Sequence, residues 1–177
     1  MHHVFPWKKT PLRMIKYRLK DNYLRFYLKY IQPNRGKIEN DIYEQIAVEH
    51  LPEWNTIMGF QFENLVLNNM KTLCKAIGIN LSTIKSAAPF FQKQTKMKSS
   101  CQIDLLIETK YALYVCEIKF RKHIKKEVIN QVAKKIVSLK PPKHFTIRPV
   151  LIYAGSIEPT IIEEDFFTHI IYFGQLL

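Results

Sequence analysis

Three polar side chains interrupt two apolar segments in the second half of the chain, and their types could do chemistry together. Asp104 lies in segment 102–108, and Glu117 and Lys119 lie in segment 112–120. Both segments are typical of β-strands joined in a hairpin. Alternate residues of a strand point to the same face, so we expect Glu117 and Lys119 to share one face.

The register of the predicted hairpin brings Asp104 to the same face. With the turn centred on Thr109 and Lys110, Asp104 lies opposite Val115 and diagonal to Glu117. Two carboxylates and an ammonium group then meet on an otherwise apolar sheet. The pattern alone leaves one alternative open, a hairpin with these polar residues on a solvated face.

The three residue types are suited to hydrolysis of a phosphodiester bond. Two carboxylates are a common minimum ligand set for a hard divalent cation such as Mg²⁺ or Mn²⁺. Such a cation polarises a phosphoryl oxygen and lowers the pKa of a bound water. We predict that Asp104 and Glu117 are metal ligands, with the Ile118 carbonyl as a third. Lys119 positions the attacking water and offsets charge on the phosphate.

An Asp on one strand and a Glu-x-Lys on the next resembles the PD-(D/E)xK nuclease superfamily. The resemblance implies an α/β, restriction-endonuclease-like core with a central mixed β-sheet flanked by helices. It also implies that the helix before the hairpin supplies an acidic residue to the site. Many such nucleases carry a Gln on the helix after the hairpin.

Glu63 is the acidic residue that fits this expectation. Segment 54–77 has apolar residues at spacings of three and four, which predicts a helix, and Gly78 closes it. Glu63 falls inside the apolar arc, where a carboxylate is costly unless it finds a cation or a donor. We predict that Glu63 completes the metal site directly or through water. The alternative is a Glu63 that fringes the core and pairs with a lysine.

Gln131 is the candidate on the following helix. An apolar stripe predicts a helix from Ile124 to Leu139, and Gln131 lies on its edge, within reach of the sheet face. Gln131 would orient Lys119 or a phosphate. An ordinary polar residue at a boundary position remains an equal alternative. Lys134 is expected to be solvated or to face phosphate.

The remaining segments predict an N-terminal helical extension, residues 1–52, and a nuclease-like domain, residues 53–177. Segment 17–32 predicts one amphipathic helix that ends at Pro33, and a helical segment follows from about Ile38 to His50. Segment 79–100 is polar and predicts one strand at most. Strands are predicted at 148–154 and 168–173, with a short helix or turn at 160–165. Residues 140–143 are predicted to end the preceding helix.

Segments 17–35 and 59–63 resemble the C-terminal part of a group of prokaryotic AAA-type ATPases, whose last domain is similar to restriction-type nucleases. This chain has no phosphate-binding loop of the form G-x-x-x-x-G-K-[ST], so it cannot itself be the ATPase. The resemblance implies an ATPase as partner or parent chain. It also implies an alternative function, a catalytically silent nuclease fold that binds DNA or protein. A structural appendage with segment 17–32 as its docking face is a third hypothesis.

Composition narrows the choice of partner and compartment. The 177 residues carry a formal net charge of +12, which favours a polyanion, most simply DNA, although a lysine-rich surface alone would give the same charge. No apolar segment is long enough to span a bilayer, so no membrane partner is expected. Three cysteines without paired spacing are typical of a reducing cytoplasm.

Overall fold

The computed structural model describes residues 18–44, 46–94, 99–139 and 144–176. Five strands form one mixed sheet: β1 (Ser86–Gln92), β2 (Cys101–Glu108), β3 (Ala112–Ile124), β4 (Thr146–Ile157) and β5 (His169–Tyr172). The α-helices of the described residues are α1 (Asn22–Phe26), α2 (Arg35–Glu39), α3 (Trp54–Asn68), α4 (Met70–Ala76), α5 (Glu127–Leu139) and α6 (Thr160–Glu163).

The strands lie in the sheet in the order in which they occur in the chain. The pairs β1–β2 and β2–β3 are antiparallel, and the pairs β3–β4 and β4–β5 are parallel. The connection from β3 to β4 contains α5, as a crossover between parallel strands requires. The strand β3 is therefore central and has a long pairing partner on each side.

Two apolar cores cover the two faces of the sheet. On one face, α3 and α4 pack through Phe62, Val66, Leu73 and Cys74 against Leu105, Cys116, Ile118 and Ile152. On the other face, α5 and α6 pack through Val128, Val132, Leu139 and Ile161 against Leu106, Leu113, Val115 and Leu151. The predicted α/β architecture, a central mixed sheet flanked by helices with an N-terminal helical extension, is confirmed.

The N-terminal extension differs from the single helix predicted for segment 17–32. The helix α1 begins only after Asp21, whose side chain accepts a hydrogen bond from the Leu24 amide and so fixes the start. A π-helical turn (Tyr27–Ile31) and a 3₁₀ turn (Gln32–Asn34) follow, and α2 continues beyond Pro33. Proline is tolerated there because it stands in the first turn of a new helix. Residue 17 lies outside the described residues.

Three other segments differ from the prediction. The segment predicted to be helical from Ile38 to His50 has only the end of α2 and a 3₁₀ turn, Val48–His50, in its described part. The predicted helix 54–77 is two helices, with a break at Asn69. Ile124 ends β3 instead of starting α5. The helix end predicted at 140–143 lies outside the described residues.

Other local predictions are confirmed. The segment 79–100 contributes one strand, β1, within its described part. Gly78 has a positive φ of 68°, a backbone conformation that glycine adopts without strain and that closes a helix. Within the described ranges, no helix is long and apolar enough to cross a membrane.

Candidate active site

The pairing of β2 with β3 sets Asp104 beside Glu117. The ladder pairs Leu106 with Val115 and ends at Leu105 and Cys116, so the next residues along it are Asp104 and Glu117. The predicted register, with Asp104 opposite Val115, is therefore wrong by two residues. An even shift leaves every side chain on its face, which is why the two carboxylates still come together.

The register differs because the hairpin turn lies further along the chain than predicted. The Thr109 side-chain oxygen bonds both the amide and the carbonyl of Ala112, at 3.1 Å each. The Thr109 amide also donates to the Ala112 carbonyl at 2.9 Å. These bonds join the residues on either side of Lys110 and Tyr111, so these two residues form the turn. The turn is therefore centred one residue later than expected.

A β-bulge distorts β2 at Asp104. Pro89 of β1 faces two residues of β2, Asp104 and Leu105, because the flanking pairs are Ala88–Leu106 and Phe90–Ile103. Proline has no amide hydrogen to give to a ladder and is compatible with such an irregularity. Bulges redirect side chains. The Asp104 Oδ2 atom accepts a hydrogen bond of 2.9 Å from the Ile118 amide on β3.

Glu117 is the most deeply buried charged residue of the site, with a side-chain exposure of 1%. Its Oε1 atom lies 2.6 Å from the Lys119 ammonium, and its Oε2 atom lies 2.5 Å from the Lys135 ammonium. The contact to Lys135 is a hydrogen bond, but the contact to Lys119 lacks hydrogen-bond geometry. A buried carboxylate requires such compensation, because an isolated charge in an apolar interior is very costly.

Asp104 is half-buried, and the loss of water around its carboxyl raises the pKa of that group from 3.8 to about 6. Burial is the largest cause, because it disfavours the charged form, and the negative charge of Glu117 adds to it. The Lys135 charge and the Ile118 amide act in the opposite direction, and Glu63 adds a smaller upward effect. Two carboxylates held this close repel each other, an arrangement that a bound cation would relieve.

Lys135 is a site residue that the sequence reasoning missed. Burial lowers the pKa of its ammonium, but Asp104 and Glu117 more than offset this, so the pKa lies above its usual value and the group stays charged. The signal was present in the sequence. Lys135 lies three residues after Val132 and four before Leu139, inside the buried face of α5, as Glu63 lies inside the apolar arc of α3.

Glu63 is held by the N-terminal extension. Its Oε2 atom is 2.5 Å from the guanidinium of Arg18, which also donates to the Phe60 carbonyl. Among the described residues, no hydrogen bond or ion pair joins Glu63 to Asp104 or Glu117. It is linked to them only through its electrostatic effect on the pKa of Asp104. The alternative predicted for Glu63 is a pairing with a lysine, but the basic residue that it contacts is Arg18. A metal role for Glu63 stays a prediction.

Gln131 and Ile118 occupy different positions relative to the site. Gln131 is exposed on α5, one turn before Lys135. In the described part of the chain no hydrogen bond connects its side chain to the site. Ile118 acts through its amide, which bonds Asp104. Its carbonyl as a metal ligand and Gln131 as an orienting group both stay predictions.

The donor atoms present suit a divalent cation that keeps several waters. Within the described residues, Glu117 Oε1 is buried without a hydrogen-bond partner, and no hydrogen bond uses Asp104 Oδ1. No group of three or more His, Cys, Asp or Glu side chains in those residues could hold a metal ion. Two carboxylates, each with an oxygen that accepts no hydrogen bond, match Mg²⁺, which is often bound by one or two carboxylates plus water and substrate oxygens.

A cleft of about 270 Å³ adjoins the carboxylates. Asp104 and Lys135 line it together with Ser100, Gln102, Lys134 and Ser138. It lies between the start of β2 and the last turns of α5. The site thus has an open, solvent-connected space on the α5 side of the sheet.

Two solved structures share features of this fold. Protein VC1899 from Vibrio cholerae is 16% identical with a TM-score of 0.51, over 88% of this chain and 46% of that one. A repair endonuclease from Pyrococcus abyssi is 15% identical with a TM-score of 0.40, over 73% of this chain and 48% of that one. This chain spans about half the length of each. At these identities the first likeness shows the fold alone.

No curated protein matches the sequence. Residues 27–135, more than half of the chain, match one protein family. The matched range includes α3, the hairpin and most of α5. This range contains Glu63, Asp104, Glu117, Lys119 and Lys135. The chain belongs to this family, DUF234, described as archaea bacterial proteins of unknown function.

Proposed function

We propose that the chain is a metal-dependent nuclease domain that hydrolyses phosphodiester bonds of nucleic acid, most simply DNA. The observation that carries the proposal is the buried Glu117 carboxylate, whose Oε1 atom accepts no hydrogen bond, beside Asp104 and Lys119. Such a cluster of opposed charges with a raised carboxyl pKa is typical of functional sites.

In this proposal each residue has a separate role. Asp104 and Glu117 hold Mg²⁺ or Mn²⁺, and the bound ion supplies a water of lowered pKa and polarises the phosphate. Lys119 lies on the edge of the site with a side-chain exposure of 21%, so its ammonium can reach a phosphate outside the buried carboxylates. It offsets the charge that develops on the phosphate as the bond breaks.

Charge supports a nucleic-acid substrate. The end of β3 and the residues after it continue from Lys119 into an exposed basic segment, which includes Arg121, Lys122, Lys125 and Lys126. Basic side chains of this kind hold the phosphate backbone without reading bases. We propose further that an ATPase acts as partner or parent chain, a proposal that rests on the sequence resemblance of the N-terminal extension.

One observation favours a second candidate function, a silent nuclease fold that binds nucleic acid. Lys135 already supplies a cation to Glu117, at 2.5 Å. If this ammonium permanently replaces the metal ion, the domain keeps its basic surface and loses its chemistry. Such a module would bind DNA in a salt-dependent way with no response to divalent ions.

Cleavage assays distinguish the two functions. Labelled single- and double-stranded DNA and RNA are incubated with Mg²⁺, Mn²⁺ or EDTA and the purified chain. Asp104→Ala and Lys119→Ala are compared with Lys75→Ala, a control on the exposed side of α4. A nuclease requires metal-dependent cutting that both site variants lose and the control keeps. Absence of cutting by every form, with salt-dependent binding intact, supports the silent module.

A further inference from the structure

Two lysines neutralise the site without any ion. Asp104 and Glu117 carry two negative charges, and Lys119 and Lys135 carry two positive charges. Adding a divalent cation would leave an excess of two positive charges in a largely buried space, where like charges repel strongly. Metal binding at this site is therefore coupled to the movement of an ammonium group.

Lys135 is the lysine whose ammonium group has open space to move into. Lys119 belongs to β3, two residues from Glu117, and its ammonium group is 2.6 Å from Glu117 Oε1. Lys135 comes from a different element, α5, and its flexible four-carbon stem also lines the cleft beside the carboxylates. Rotation of this stem would carry the charge from Glu117 into the cleft without any change in the backbone.

The residues that line the cleft indicate which anionic ligand the displaced ammonium group would bind there. Its lining residues Ser100, Gln102 and Ser138 are neutral, and Lys134 is exposed and adds a positive charge. Within the described residues, Asp104 is the acidic residue of this lining, and a metal ion would neutralise it. A space with hydroxyl groups and two ammonium groups suits the phosphate of a nucleic-acid strand.

We propose that Lys135 occupies two positions: it is the counter-ion of Glu117 in the metal-free site, and the entering divalent ion displaces it into the cleft. There it binds, with Lys134, a phosphate next to the one that is cleaved. Metal binding and substrate binding are coupled through this side chain. The inference rests on the proposed function, since it assumes that Asp104 and Glu117 hold a metal ion.

Calorimetric titration with Mn²⁺ tests the displacement without any activity assay. Lys135→Met keeps the stem and removes the charge, so Mn²⁺ no longer competes with an internal ammonium. We expect its affinity for Mn²⁺ to rise about tenfold or more. Lys135→Arg restores the counter-charge and should return to weak binding. Lys75→Met, on the exposed side of α4 and not part of the cleft lining, is the control and should bind Mn²⁺ like the wild type, after each variant is shown to unfold cooperatively.

The outcomes separate this inference from the proposed function. Unchanged or weaker Mn²⁺ binding by Lys135→Met, with binding by the wild type intact, would overturn the displacement and leave a metal-dependent nuclease standing. No Mn²⁺ binding by any form would overturn both.

A second measurement tests the phosphate contact. Binding of a phosphorothioate oligonucleotide is followed over a range of salt concentrations, with and without Mn²⁺. In the wild type, Mn²⁺ should steepen the salt dependence by about one phosphate contact, because Lys135 is released to the strand. Lys135→Met should lack this increment. The same increment in both proteins would refute the contact.

Discussion

Replacing Asp104 by Asn should stabilise the protein at neutral pH. The pKa of Asp104 is about 6 in the folded chain against an ordinary value of 3.8. A carboxyl whose pKa is raised on folding destabilises the folded state at pH values above both pKa values. This cost disappears as the pH falls through the folded-state pKa, since the protonated group is then favoured by folding.

The size of the effect follows from the two pKa values. Each pKa unit corresponds to about 1.4 kcal/mol, so the cost of the Asp104 charge is about 3 kcal/mol at pH 8. The same calculation gives about half a kcal/mol at pH 4. Asn keeps an oxygen to accept the hydrogen bond from Ile118, and its amide hydrogens can face Glu117. Asp104→Asn should therefore be more stable than the wild type at pH 8 and nearly equal to it at pH 4.

Urea unfolding of both proteins between pH 4 and pH 8 measures this difference. Carboxyl groups that do not interact with Asp104 cancel in the difference between the two proteins, and the interaction of Asp104 with Glu117 is part of the effect that is measured. Glu163→Gln, an exposed substitution on α6, is the control for exchanging a carboxylate for an amide and should show no such trend. A constant difference across the pH range, or a less stable Asp104→Asn at pH 8, would refute the reasoning.

Three further experiments test the packing of the chain. Asn64→Ala should destabilise the chain by about 1–3 kcal/mol in urea unfolding. The buried Asn64 amide bonds segment 19–22, and Asn68→Ala, at an exposed position, should change little. Gly155→Ala should destabilise by about 1–3 kcal/mol, because φ is 110° and a Cβ would lie 1.8 Å from the Arg121 carbonyl oxygen. Gly59→Ala, with open space in α3, should instead stabilise slightly; equal effects at the two glycines would contradict this. A disulfide reagent should label none of Cys74, Cys101 and Cys116 in the folded protein at pH 8, and all three after unfolding. Burial raises the pKa of each thiol and shields it from the reagent. Rapid labelling of the folded chain would contradict their burial.

The periodicity of the apolar residues was sufficient to predict the sheet and its main helices. Strand alternation assigned Glu117 and Lys119 to one face, and α5 and the paired strands were present where the pattern indicated. Those signals are local, because burial of one face imposes a period of two on a strand and of 3.6 on a helix. Element boundaries were less predictable. Capping by Asp21 and the break at Asn69 depend on hydrogen bonds that a hydrophobic pattern does not contain.

The sequence predicted only part of the site, for the same reason. The sequence determined that Asp104, Glu117 and Lys119 share a patch, since faces survive an even shift of register. Only the tertiary structure decided where the hairpin turns, that β2 has a bulge at Asp104, and that α5 brings a second lysine to Glu117. Ion pairs between residues 18 positions apart, or 45 apart as for Arg18 and Glu63, depend on how elements pack across the sheet. A one-dimensional pattern predicts which face a charge lies on, but the partner that neutralises it comes from another element.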